Sequence, residues 1–259
     1  MDRRIFLQMA AATAATIGLP ASANSLDEIN KTKLLRVAVL QDYPPFGSVG
    51  VDMLPRGLDV DVANLVATKL GVKVQFFPVA GANRIPYLQT RKVDLIIGAL
   101  GRNAEREKVI DYGPAYAQVF NGVFGAPEMR VAQPADVAGK TIGVSRGSTE
   151  DLQLTKIAPS TAQIRRFEDS NGTMAAFLAG QVELIATGNS LVAAVSARNP
   201  EKKIETKFKM NDERLYIGLN KGEDALMARI NAIASELKKD GSLSAISQKW
   251  LGTALPSDI

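Results

Sequence analysis

The sequence predicts an α/β protein with largely parallel sheets, and three observations support this. Strand-like and helix-like patterns alternate from Leu34 to Leu237, the order produced by sheets flanked by helices. Largely apolar stretches such as 34–40 and 93–97, each broken by one charged residue, read as buried strands rather than half-exposed ones. The 259-residue chain is 46% hydrophobic with both charge signs interspersed, enough for one large core or two modest ones. It contains no low-complexity tract, no repeat of fixed period and no membrane segment after the N-terminus.

In chain order, Leu34 to Leu40 is the first strand. Leu58, Val62, Leu65 and Val66 then recur at helical spacing, with Asp61, Asn64 and Thr68 on the opposite face. Gly71 suits the stop of that helix. Val72, Val74 and Phe76 alternate with Lys73 and Gln75 as a half-buried strand. A short helix is expected over 85–90 and a buried strand over 93–97. The alternation continues with a strand at 141–144, a helix opening at 149–154 and a strand at 164–167. A helix at 173–179 closes at Gly180, and a strand at 182–186 and a helix at 191–197 follow. The strand at 215–219 leads into a long helix whose one face is Leu226, Ile230, Ile233 and Leu237. Two stretches, 115–121 and 209–214, lack clear periodicity and suit chain crossings between two bodies.

The N-terminus reads as an export leader over residues 1–23: Arg3-Arg4, an uncharged run from Met9 to Leu19, then Ala21-Ser22-Ala23 as a small-residue cleavage site. The apolar run is about half the roughly 20 residues that span a bilayer. Arg3-Arg4 before Phe6-Leu7 resembles a twin-arginine signal, with an ordinary secretory signal as the alternative. Removing the leader takes two of 31 basic residues and one of 27 acidic ones, leaving a net charge of about +3. That charge does not imply nucleic acid as a partner. With no cysteine there is no disulfide, no thiolate metal site and no lipid attachment point. The absence of histidine removes the commonest general base and metal ligand, which argues against an enzyme.

Several segments, in order, resemble family 3 of the bacterial extracellular solute-binding proteins. They are Leu35-Arg36-Val37-Ala38-Val39 with Tyr43-Pro44-Pro45-Phe46; Gly57-Leu58-Asp59-Val60-Asp61-Val62-Ala63; Ile85-Pro86-Tyr87-Leu88 with Lys92-Val93-Asp94-Leu95-Ile96; Glu105-Arg106 with Val109-Ile110-Asp111-Tyr112; Gly139 to Val144 with Gly147-Ser148-Thr149; and Asp240-Gly241-Ser242-Leu243 to Trp250. The resemblance implies an α/β clamshell, the two-lobed periplasmic binding protein fold. Two crossings join the lobes, and each lobe is a mixed sheet flanked by helices. It places 24–118 and 212–259 in lobe 1 and 119–211 in lobe 2. It further implies a monomeric periplasmic receptor that works with the membrane permease of an ABC importer and needs no cofactor or metal. A cyclohexadienyl dehydratase-like enzyme on the same fold is the alternative.

By the same resemblance, Arg106 grips a ligand carboxylate, for which a guanidinium offers two parallel donors. The loop with Gly98, Ala99 and Gly101 offers backbone donors; Gly101 stands where the family usually has Ser or Thr. Gly147-Ser148-Thr149 opens a helix whose free N–H groups attract anions, although Ser148 or Thr149 equally suits a cap. Glu150 is a polar ligand contact or complements the helix dipole. Tyr43 covers the ligand's apolar stem or a cation, while Phe46, Tyr112 and Trp250 suit packing. The family's ammonium-binding aspartate is replaced by Gly188, and its second aromatic wall by Gly81. A buried ammonium without an anion is costly. Asn189, Glu150 or another acid therefore replaces that aspartate, or the ligand is not an ordinary α-amino acid.

Overall fold

A computed structural model of the protein describes residues 25–259; the expected leader lies outside the described residues. Chain order begins with α1 (Ser25–Thr32) and β1 (Leu34–Leu40), followed by a small sheet of β2 (Asp42–Tyr43), β3 (Gly47–Val49) and β4 (Pro55–Arg56). Next come α2 (Leu58–Leu70), β5 (Lys73–Val79), α3 (Arg84–Gln89), β6 (Leu95–Ile96), α4 (Ala104–Glu107) and β7 (Ile110–Gly125). The middle of the chain forms β8 (Thr141–Ser145), α5 (Thr149–Ile157), β9 (Gln163–Phe167), α6 (Ser170–Leu178), β10 (Leu184–Gly188) and α7 (Asn189–Arg198). It ends with β11 (Glu205–Asn220), α8 (Asp224–Lys239) and α9 (Ser242–Leu251).

One eight-stranded sheet runs β5-β1-β6-β11-β7-β10-β8-β9. β1 lies parallel between β5 and β6, and β8 lies parallel between β10 and β9. Between these two parallel groups sit β7 and β11, which are antiparallel and paired from Ile110–Asn220 to Gly125–Glu205. The expected crossings at 115–121 and 209–214 are therefore the middles of two 16-residue strands. Register shifts at Lys209/Asn211 and Leu215/Tyr216 interrupt the ladder there. A bulge breaks the two-residue alternation and bends the ribbon, so these segments carry no strand periodicity.

The apolar cores divide around this ribbon. Val37, Val39, Leu58, Val62, Val66, Ile230 and Ile233 pack on one face of the first parallel group, and Ala38, Val79, Leu88, Ile96 and Leu100 on the other. β1 is thus covered on both sides from Val37 to Leu40, which is why that part of its sequence is continuously apolar. The second group repeats the arrangement. Val123, Ile142, Val144, Leu154 and Leu184 form one core, and Phe124, Met174, Ile185, Leu191 and Val192 the other. This is a two-lobed α/β fold. Gly71 closes α2 in the left-handed conformation at φ 69°, as its position predicts. Phe46 is fully buried, and Trp250 packs against the first core while its indole N–H donates to Asp61 at 2.7 Å. No helix among the described residues is long and apolar enough to cross a membrane.

Candidate functional site

The site is a cleft where strand ends and helix starts of the two lobes face one another across the ribbon. Its walls include Leu40, Tyr43, Arg84, Ala99 and Gly101 from the first lobe, with Ser148, Thr149, Glu150, Ser170 and Thr187 from the second. Asn121, Glu213 and Leu215 on β7 and β11 form its floor.

Arg106 lies at the lobe junction and is 8% exposed. Asn103 caps α4 by accepting the Arg106 backbone N–H at 2.9 Å, which fixes where the side chain starts. The guanidinium donates to the carbonyl oxygen of Gly101 at 2.8 Å in its own lobe. Across the cleft it donates to Thr149 Oγ1 at 3.3 Å and the Gly147 carbonyl oxygen at 3.2 Å. A side chain that bonds both lobes can report and stabilise their approach. Further bonds cross the cleft. The Gly188 N–H donates to Tyr43 Oη at 3.2 Å, and the Ser170 N–H at the start of α6 donates to Asp42 Oδ2. Asp42 is 3% exposed, and burial raises its carboxyl above the ordinary range.

The loop from Gly98 to Gly101 is held from below. Tyr116 donates its hydroxyl to Asp59 Oδ1 at 2.7 Å and accepts the Ala99 N–H at 3.0 Å. Complete burial pushes Asp59 up to about 7. This anchoring holds Ala99 at φ 44°, a left-handed conformation that costs a non-glycine residue about 1–2 kcal/mol. The Ala99 N–H is committed to Tyr116, and the carbonyl oxygens of Gly98 and Ala99 accept from Arg84 Nη1. Ala99 thus lines the cleft wall with its N–H already bonded, while Gly98 does not line the cleft and serves to hold Arg84. The Gly101 carbonyl oxygen accepts from Tyr112 Oη at 3.0 Å as well as from Arg106.

Two of the three glycines that depart from the family pattern, Gly101 and Gly188, have steric causes. A Cβ on Gly101 would stand 2.1 Å from Glu213 Oε1 and 2.8 Å from Thr149 Oγ1. Glu213 therefore occupies the space that a hydroxyl-bearing side chain at 101 would fill. Its Oε2 accepts from Asn211 Nδ2 at 2.9 Å and Asn121 Nδ2 at 3.3 Å. Desolvation raises its carboxyl, and the nearby Glu150 charge adds to that. A Cβ on Gly188 would likewise stand 2.2 Å from Tyr43 Oη, so the tyrosine hydroxyl takes the place of a side chain there.

In the second lobe, Ser148 caps α5 by accepting the Asp151 N–H at 3.1 Å, while Asp151 accepts the Gly147 N–H at 3.0 Å. Thr149 accepts from Arg106, and Glu150 reaches the cleft at 9% exposure, its carboxylate accepting no hydrogen bond from the described residues. Asn189 is turned to the backbone: its Oδ1 accepts the Phe120 N–H at 3.0 Å, and it does not line the cleft. The structure thus brings Tyr43, Ala99, Gly101, Ser148, Thr149 and Glu150 to the cleft wall and Arg106 to the junction behind it. Sequence reasoning singled out none of Asp42, Arg84, Asn121 and Glu213. An acid in the middle of a crossing segment was the available signal for Glu213. No cluster of metal-ligating side chains occurs among the described residues.

Residues 35–253 match the family model of bacterial extracellular solute-binding proteins, family 3. The chain is 27% identical to the ABC transporter glutamine-binding protein GlnH of Bacillus subtilis over 199 residues, 75% of this chain and 72% of that protein. It is 25% identical to the L-cystine-binding protein TcyJ of Escherichia coli K12 over 255 residues, 94% of this chain and 93% of that protein. Among solved structures it resembles the ancestral amino acid-binding protein AncCDT-1, a precursor of cyclohexadienyl dehydratase. The TM-score is 0.80 at 27% identity, over 88% of this chain and 99% of that one.

Proposed function

We propose, from the premise that this chain belongs to the bacterial extracellular solute-binding proteins of family 3, that it is the solute receptor of an ABC importer for a small polar solute bearing a carboxylate, an amino acid or a derivative. The observation that carries this reading is Arg106, nearly buried, its guanidinium bonded to both lobes at the cleft. A carboxylate brought to that fork replaces weak carbonyl partners with a charge-assisted pair and draws the lobes together. Ligand binding then shifts the population toward the closed form, which docks on the permease.

In this reading Tyr43 and Leu40 cover the apolar part of the solute. Glu150 and Glu213 replace the missing aspartate as partners of an ammonium, one at the start of α5 and one on the ribbon. Ala99, Gly101, Ser148 and Thr149 shape the walls, Gly98 holds Arg84 and Asn189 holds β7 behind them. We assign 24–118 with 212–259 to one lobe and 119–211 to the other; the separate buried cores on either side of the ribbon support two lobes. The receptor is monomeric, unlipidated and periplasmic, released by cleavage of the 1–23 leader through the twin-arginine or the general secretory route. The dehydratase alternative needs a positioned acid in the cleft, a role Glu150 or Glu213 would have to fill; the named binding relatives favour capture without chemistry.

Thermal unfolding of the purified protein across amino acids, amines and simple carboxylates tests the reading. A ligand present at about 100 times its Kd stabilises the folded state by about 2.7 kcal/mol, a shift of several degrees. At least one carboxylate-bearing amino acid is expected to produce it. A response to amines alone would contradict the carboxylate assignment.

A further inference from the structure

The cleft contains a second cation that the carboxylate at Arg106 does not use. Arg84, at the start of α3, is 5% exposed and lines the cleft. Its Nε donates to the Gly81 carbonyl oxygen at 2.9 Å, and its Nη1 to the carbonyl oxygens of Gly98 and Ala99. Carbonyls orient a guanidinium but do not neutralise it. Among the described residues Arg84 forms no ion pair, and its Nη2 donates to none of them. The neighbouring acids act on it only from a distance, and Tyr116 holds one oxygen of Asp59. Burial and the Arg106 charge lower the Arg84 pKa to about 10, as expected of a cation without a bonded anion.

Gly81 leaves this guanidinium uncovered. The first side-chain atom at that position would stand 3.5 Å from Arg84 Nη2, and glycine places none there. A buried, oriented cation in the wall of a solute cleft, with a donor that no described residue uses, is complementary to an anion.

We infer that Arg84 is a specificity-determining residue that receives a second anionic group of the solute, so that the ligand is an acidic one bearing two anionic groups, such as an acidic amino acid. The inference rests on the proposed receptor function and narrows its ligand class. One anionic group lies at Arg106, the other at Arg84 Nη2, and an ammonium between them faces Glu150 and Glu213. With one anionic group at Arg106, an amino acid that carries no second one leaves Arg84 without a bonded anion.

Titration calorimetry with matched pairs tests this: L-glutamate against L-glutamine and L-aspartate against L-asparagine, with L-cysteate added to separate sulfonate from carboxylate. One acid of the set is expected to bind at least about tenfold more tightly than its amide. Arg84→Gln is expected to reduce that preference to within about threefold. Gly81→Leu, which keeps the arginine but covers Nη2 at a position with ordinary backbone geometry, is expected to do the same and serves if Arg84→Gln does not fold. Tightest binding of cysteate would support the assignment with a sulfonate as the anion. Amides that bind as well as acids, or a preference that survives both substitutions, would overturn it while leaving the receptor reading intact. If no amino acid or carboxylate binds, both fall.

Discussion

Arg106→Ala is expected to weaken solute binding by about 2–5 kcal/mol, roughly thirtyfold to several thousandfold. The size follows from burial. Arg106 is 8% exposed, so the carboxylate it pairs with has lost most of its water. The substitution also removes the donors that reach Thr149 Oγ1 and the Gly147 carbonyl oxygen across the cleft. Calorimetry should show this loss for every ligand that binds the wild type, acid or amide, because the shared carboxylate is what it holds. Arg106→Lys should recover only part of it, since an ammonium keeps the charge but not the two-pronged geometry. An alanine variant within about threefold of the wild type would return Arg106 to a purely structural role.

Gly188→Asp, which restores the residue usual in the family, is expected to destabilise this protein and to weaken binding. The new Cβ would stand 2.2 Å from Tyr43 Oη, and the tyrosine ring is packed against cores of both lobes. Overpacking of a well-filled site costs about 1–3 kcal/mol, roughly 2–4 °C of melting temperature for each kcal/mol in a chain of this size. Tyr43 Cζ would lie 3.5 Å from the same Cβ, an ordinary contact, so the hydroxyl alone causes the clash. Tyr43→Phe in the Gly188→Asp background should therefore recover stability, whereas in the wild type it removes a hydrogen bond from the Gly188 N–H. That opposite sign is the signature of two coupled positions. Additive effects of the two substitutions would contradict the account of why this chain carries glycine at 188.

These glycines also show where sequence reading stops. The α/β class was legible because β1, α2, β5 and α8 each bury a face set by local periodicity, and Leu34–Leu40 matches β1 residue for residue. The ribbon was harder to read. Its bulges shift the alternation of β11, so 209–214 showed no clear periodicity and read only as a crossing, although it is the middle of a long strand. α9 and the small β2-β3-β4 sheet were not anticipated: the sheet's strands are two or three residues long, too short to show a period. In the site, Arg106 and the Ser148 region were visible as motif positions. Glu213 was not, because its role depends on the empty volume at Gly101, 112 positions away along the chain by direct numbering, and a pairwise steric exchange leaves no mark on either residue alone. Arg84 was overlooked for a similar reason. Its meaning lies in the anion it lacks, which only the packed structure can reveal.

The central claim is that the cleft captures a carboxylate-bearing solute without transforming it. Equilibrium dialysis of the purified protein against isotopically labelled amino acids, followed by chemical analysis of what is retained, tests this most directly. The account predicts one labelled solute retained per chain, recovered unchanged, and released when Arg106 is replaced by alanine. Retention of nothing, or recovery of a chemically altered solute, would contradict it.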